Sequence, residues 1–221
     1  AGTGPVERVS TRTVARSFAR VLLTAGLGVL LVSAVRATRQ VVIPLWCTHI
    51  GLDEQSTSAI YGIAGGIDML VFYPAGKVMD VRGRAAVAVP SMLIMAAALV
   101  ALPFAHTFAA VLAASCALGF GNGIGSGMVM TLGADFSPDV GRAPFLGLWR
   151  QLSDTGSTIG PFALSGMTAL AGLSAAVVVN AIFGVLAAAM LAYWPAKLMR
   201  AGWGAARPER DAADSAPSHQ R

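Results

Sequence analysis

Six long apolar runs take up most of this chain and constrain its fold more than any other feature of the sequence. The hydrocarbon core of a bilayer is about 30 Å thick, so a spanning helix needs about 20 mostly apolar residues. A helix also satisfies its own backbone hydrogen bonds inside lipid. The sequence therefore predicts an all-α membrane protein with six transmembrane helices, at about 21–45, 56–79, 85–103, 108–132, 145–170 and 175–194.

The positions of the basic residues predict the topology of this bundle. Hydrophobic residues make up 55% of the chain and charged residues 12%, and the net charge is +5. Lys and Arg lie mainly at the ends of the apolar runs, which is a topology signal rather than a nucleic-acid-binding surface. The basic segments are 1–20, 77–84, the loop around Arg142 and 197–210, whereas the loops at 47–55, His106 and Gly172 carry no Lys or Arg. We therefore expect both termini to be cytoplasmic, in the plasma (inner) membrane, and the Ala-, Gly- and Arg-rich composition suggests a bacterial source.

Three regions follow from this pattern. Residues 1–20 form a basic cytoplasmic arm or linker, residues 21–194 the six-helix transmembrane bundle, and residues 195–221 a polar cytoplasmic tail. The tail is rich in Arg, Asp, Ser and Pro and is expected to be disordered beyond Arg207.

Enzymatic chemistry is not expected from this sequence. The two cysteines, Cys47 and Cys116, form no metal or redox motif, so no cofactor and no metal are predicted. Ser126 lies between two glycines, faintly like the nucleophile of an intramembrane protease. A serine nucleophile needs a neighbouring base, and no histidine lies within any of the six runs.

Charged residues inside the first two runs are candidates for a substrate or proton pathway. Arg36 and Arg39 are three residues apart and share one face of the first helix. Asp68 lies near the middle of the second helix, where a carboxylate is costly and marks an ion or substrate pathway. An Arg36–Asp68 salt bridge could simply lock the two helices together, or the pair could face a central cavity. Arg39 lies closer to the outer end and could extend towards the interface.

Polar residues and glycines in the fourth and fifth runs extend this pattern. Gly119, Gly123 and Gly127 are spaced four apart, which lets helix backbones approach closely. Asn122 either bonds another helix or lines a cavity. Arg150 and Asp154 are spaced for pairing on one helical face.

The loop between the second and third runs carries a motif. Its sequence, Gly76-Lys-Val-Met-Asp80-Val-Arg82-Gly83-Arg84, has the form Gly-x-x-x-Asp-x-x-Gly-Arg. This resembles the loop signature of the major facilitator superfamily of transporters, where it joins the second and third helices of each six-helix half. The resemblance implies a cytoplasmic loop.

A second motif lies in the fifth run. Gly147, Gly156 and Gly160-Pro161 are similar to the fifth-helix motif of exporting antiporters in the same superfamily, although Leu164 and Ser165 replace its final glycine pair. Together the motifs imply the C-terminal six-helix half of a twelve-helix secondary transporter of a small solute, of which a proton-coupled efflux permease is one form. Its expected partners are the lipid bilayer, a small-molecule substrate, protons if transport is coupled to them, and either an N-terminal half or a second copy of itself. The alternative is a non-transporting membrane scaffold or a truncated remnant.

Overall fold

The structure, a computed structural model, describes residues 10–202, and these fold into eight α-helices joined by short connections. A single 3-10 turn, Leu102–Phe104, continues the fourth helix. The helices are α1 Thr11–Ser17, α2 Ala19–His49, α3 Glu54–Arg82, α4 Ala85–Ala101, α5 Phe108–Ile124, α6 Met128–Phe136, α7 Arg142–Ala171 and α8 Leu173–Arg200.

Five helical stretches within residues 10–202 are long and apolar enough to cross a membrane, which confirms the predicted class. They are α2, α3, α4 with its 3-10 turn, α5 together with α6, and α8. The predicted count of six exceeds this by one, because α7 is not apolar enough. With 30 residues, α7 does have the length to span. The polar residues along it, from Arg150 to Thr158, lower its hydropathy.

The fourth predicted helix is broken, and the prediction of one continuous helix over 108–132 is wrong. α5 ends at Ile124 and α6 begins at Met128. Between them Gly127 has a φ of 82°, in the left-handed region that glycine enters at little cost. Gly127, whose spacing predicts close helix packing, instead allows the break.

The ends of the bundle differ in detail from the predicted boundaries. Part of the basic arm is helical, and within α1 the side chain of Val14 is only 3% exposed. Phe18, which follows α1, packs edge-on against Phe145 with 5.3 Å between ring centroids. At the other end, α8 continues to Arg200, past the predicted end at residue 194. Residues 1–9 and the predicted disorder beyond Arg207 lie outside the described residues.

The helices pack in a layered bundle in which α2 contacts α7 and α8, α4 contacts α5 and α8, and α3 contacts α5. Gly156 and Gly160 place the backbone of α7 directly on that of α2. A Cβ atom at Gly156 would overlap the carbonyl oxygen of Leu30, and one at Gly160 would overlap that of Ala34. Two of the four motif residues, Gly156 and Gly160, therefore allow the close contact between α7 and α2, as small residues do between helices in membranes.

A second close contact joins α5 to α3. Gly119 meets the backbone of Ala64, and a Cβ at Gly123 would lie 2.5 Å from the carbonyl oxygen of Asp68. These two glycines pack as their spacing predicts, and they fix the level at which Asp68 meets α5.

The outward face of α3 is largely uncovered. Its large exposed side chains include Ile63, Met69, Leu70, Phe72 and Tyr73. A face of this kind in a membrane protein meets lipid or another protein.

Candidate functional site

The centre of the bundle contains a salt bridge between α2 and α3. Nη2 of Arg39 lies 3.0 Å from Oδ2 of Asp68, and the two side chains are 10% and 19% exposed. The prediction therefore named the wrong arginine: Asp68 pairs with Arg39 rather than Arg36, and Arg39 does not extend towards the interface. Arg39 is buried because its guanidinium is directed at α3, where its charge is compensated by Asp68.

Asn122 of α5 connects this salt bridge to Arg36. Its Nδ2 donates a 2.7 Å hydrogen bond to Oδ2 of Asp68, while its Oδ1 accepts a 2.7 Å bond from Nε of Arg36. Nη1 of Arg36 also donates to the carbonyl of Gly125, at 3.3 Å, where α5 has just ended. Arg36, Asn122, Asp68 and Arg39 thus form one continuous hydrogen-bonded chain across three helices.

Arg36 and Asn122 also line a cavity of about 520 Å³ between α2, α5, the start of α6 and α7. Both interpretations of Asn122 are therefore correct, because it bonds two other helices and also lines the cavity. The charged residues on the cavity wall are Arg36, Arg150 and Asp154, with Gln40, Ser33 and Ser153 as polar neighbours. The structure therefore brings four of the six predicted pathway residues to one cavity, while Arg39 and Asp68 lie behind Asn122.

The polar face of α7 supplies the opposite wall. Nε of Arg150 donates to both carboxylate oxygens of Asp154, at 3.0 and 3.2 Å, and the two side chains are 61% and 60% exposed. Both residues also line a second cavity of about 390 Å³, together with Gly147. Pro161 contributes to the wall of the larger cavity. The α7 motif thus combines two glycines that pack against α2 with two residues that border cavities.

The loop motif forms a separate cluster at one end of the bundle. Asp80 lies in the last turn of α3, and its Oδ1 is 3.5 Å from Nη1 of Arg84. Gly83 permits the reversal between them, with a φ of 87°. Gly76 has open space around it, and Arg82 is exposed.

Asp135 completes this cluster, and the sequence reasoning did not select it. Its carboxylate accepts hydrogen bonds from Nε and Nη2 of Arg84, at 2.9 and 3.4 Å. The hydrogen bond to Asp135 raises the pKa of Arg84 above its already high value. The only signal in the sequence was an acidic residue at the end of the fourth run, since nothing local indicates that α6 ends beside the α3–α4 loop.

We expect Asp80→Asn and Asp135→Asn to have different effects. Asp80 is 77% exposed on its side chain, so its loss should leave expression and melting temperature nearly unchanged. Asp135 holds Arg84 through two hydrogen bonds, so its replacement should lower stability by about 1 kcal/mol. The resemblance of this loop to a transporter signature implies a second effect: if the loop gates the conformational change, Asp80→Asn should severely reduce transport by the reconstituted protein. Unchanged transport by Asp80→Asn would contradict a gating role for the loop. Lys77→Gln, in the same loop motif, is the control variant.

Within residues 10–202, a helical bundle that is long and apolar enough to cross a bilayer, with charged side chains around an open cavity between its helices, defines a multi-pass membrane protein of the transporter type. The chain belongs to the Major Facilitator Superfamily, whose family model matches residues 25–217. It is therefore a membrane transporter of that superfamily, a group of transporters rather than enzymes, which sits in a lipid bilayer and binds small solutes. A length of 221 residues is consistent with one half of the twelve-helix fold. None of the curated proteins compared with the chain is significantly similar to it.

Proposed function

We propose that this chain is one half of a secondary transporter and that its solute passes through the 520 Å³ cavity. The observation that carries the proposal is the convergence of polar side chains from α2, α5 and α7 on that cavity. Arg36, Asn122 and Asp154 each lie near the middle of their helical stretches, which is where secondary transporters bind solutes. In this arrangement α7 is the sixth span, with its polar face turned from lipid towards the solute.

Proton coupling through Asp68 is part of the proposal. Asp68 is the midpoint of α3, where an ionised carboxylate is expensive unless it is paired. Its two partners, Arg39 and Asn122, come from α2 and α5. Protonation of Asp68 would cancel its attraction for Arg39 and so loosen the junction of three helices. A change of this kind can accompany the rocking of one transporter half against the other.

A second half is needed to close the pathway. The uncovered face of α3 supports a protein partner, because the glycines Gly62, Gly65 and Gly66 have open space beside them and would allow close helix approach. The partner is either an N-terminal six-helix half or a second copy of this chain. Both termini would lie on the cytoplasmic side of the plasma membrane. The α7 motif implies export, and the direction of transport is therefore part of the test.

The test is solute-dependent proton movement in proteoliposomes that contain the chain and an entrapped pH-sensitive dye. Small carboxylates, alcohols, amines and amino acids are added in turn under pH gradients of both signs, with empty liposomes and the Asp80→Asn variant as controls. We expect at least one solute to change the internal pH faster than in empty liposomes.

The mass of the detergent-solubilised protein is measured on the same preparation, because one copy contributes 22.6 kDa. A dimer that transports supports pairing with a second copy. A monomer without transport that gains it on addition of a six-helix partner supports a separate N-terminal half. A monomer that transports alone would contradict the two-half proposal, and a dimer that moves none of the solutes would favour the scaffold.

A further inference from the structure

We propose that the cavity binds a small organic anion through Arg36, and that uptake of a proton by Asp68 strengthens this binding. The inference rests on the proposed function and specifies the charge of its solute. Its basis is the way the charges around Arg36 are compensated.

Arg36 lines the cavity with a charge that no carboxylate contacts among residues 10–202. Its two hydrogen-bond acceptors, Oδ1 of Asn122 and the carbonyl of Gly125, are both neutral. The other charges nearby are already paired, Arg39 with Asp68 and Arg150 with Asp154. The described wall and the network behind it therefore carry one unit of positive charge in excess, which an anion would balance. Nη2 of Arg36 has no protein acceptor within residues 10–202, so it is available to a carboxylate.

The backbone reinforces this preference. Gly127, Val129 and Met130 line the same cavity, so the N-terminus of α6 opens onto it. The partial positive charge at a helix N-terminus adds to the field of Arg36. Apolar side chains of Val41, Val129 and Met130 provide walls for the carbon skeleton of the solute.

Asn122 connects the anion to the proton site. It accepts from Arg36 with its oxygen and donates to Asp68 with its nitrogen, so the two sites share one side chain. The charged groups that face Asp68 are Arg39 and Arg36 from α2, while α5 presents Asn122. α4, which also packs against α3, has no titratable side chain between residues 85 and 101. Protonation of Asp68 therefore leaves two arginines without a counter-ion, and an anion at Arg36 becomes more favourable.

The sign of this coupling has a consequence for transport. Because binding free energies are reciprocal, an anion that binds better to the protonated protein also favours proton uptake. The two ligands then load together and move in the same direction. Such co-transport differs from the exchange implied by the exporter motif in α7, whose final glycine pair is replaced here by Leu164 and Ser165.

Calorimetric titration of the complete chain in lipid nanodiscs tests the proposal without requiring transport. The probes are acetate, benzoate and naphthoate, each with its matching alcohol and primary amine, and phenylglycine as a zwitterion. We expect a carboxylate to bind more tightly than its matching alcohol and amine. Arg36→Gln should weaken that binding by about 10-fold or more, whereas Lys197→Gln, at the end of α8, should leave it unchanged.

Two further variants change the network charge in opposite directions. Asp68→Asn mimics the protonated state and should tighten carboxylate binding by about 5- to 150-fold, the usual range of coupling between two sites. Arg39→Gln removes a positive charge and should weaken it. Melting curves of each variant show whether the bundle remains folded.

Several results would overturn the proposal: no binding of any carboxylate by the folded chain, equal binding by wild type and Arg36→Gln, or weaker binding by Asp68→Asn. Preferential binding of an amine, lost in Asp154→Asn, would also overturn it while leaving the chain a transporter. Conversely, carboxylate binding without any proton movement in proteoliposomes would support the anion site and count against the proposed transport.

Discussion

Replacement of Asp68 by asparagine is expected to abolish solute accumulation driven by a pH gradient while sparing the exchange of solute across the membrane. Asparagine keeps the shape of the side chain and a hydrogen-bond acceptor for Arg39 but carries no titratable group. The solute cavity lies on the other side of Asn122, so its wall remains in place. Accumulation and exchange of the carboxylate that binds best are measured in the same proteoliposomes, with and without an imposed gradient.

The Arg39→Gln variant separates coupling from stability. Removal of one partner of a buried ion pair costs about 3–5 kcal/mol, because the remaining charge stays desolvated. Each single substitution, Arg39→Gln or Asp68→Asn, should therefore lower the melting temperature. The double variant Arg39→Gln/Asp68→Asn should recover most of that loss. If the double variant also regained accumulation driven by a pH gradient, the pair would be purely structural and Asp68 would not be the proton carrier.

Replacement of both Gly156 and Gly160 by alanine should destabilise the bundle more than glycine-to-alanine substitution at any other two positions of α7. Each new Cβ would overlap a carbonyl oxygen of α2, at Leu30 and Ala34, and a helix backbone cannot rotate away as a side chain can. Overpacking of this kind costs typically 1–3 kcal/mol per site, so the double variant should lose several kcal/mol in sum. The melting temperature and the yield of monodisperse protein in detergent report the loss.

Gly166 and Gly147 provide matched controls on the same helix. A Cβ at either position would meet nothing within 4 Å, and alanine favours helix more than glycine does. Gly147→Ala and Gly166→Ala should therefore keep or slightly raise the melting temperature. If all four alanine variants behaved alike, the close approach of α7 to α2 would not be a determinant of stability.

The class of fold could be predicted from the sequence alone, because a long apolar run in lipid must satisfy its own backbone hydrogen bonds and a helix does so. The sequence also placed most helix ends within a few residues and identified the family through a loop and a helix motif. Arg36, Asn122 and Asp154 could be selected from the sequence because a polar side chain within an apolar run is conspicuous, whichever face of the helix it lies on.

Periodicity along one helix could not decide which residues of two helices meet. The sequence paired Asp68 with Arg36 by comparing depths, but the packing of α2 beside α3 brings Arg39 to the carboxylate instead. Asn122, next to Gly123 on α5, bonds both Arg36 and Asp68, a pairing that no spacing rule along one helix predicts.

The break at Gly127 and the role of Asp135 also depended on the tertiary structure. Glycines at four-residue spacing are compatible both with a packed helix and with a helix interrupted by a turn. The structure distinguishes these cases: Gly123 packs against the backbone of Asp68, whereas Gly127 has a φ of +82° and no neighbour within 4 Å. Asp135 and Arg84 are 51 residues apart and meet because α6 ends beside the α3–α4 loop. Local sequence specifies the helices, whereas the contacts between them arise from side chains far apart in the chain, and it is those contacts that assemble the site.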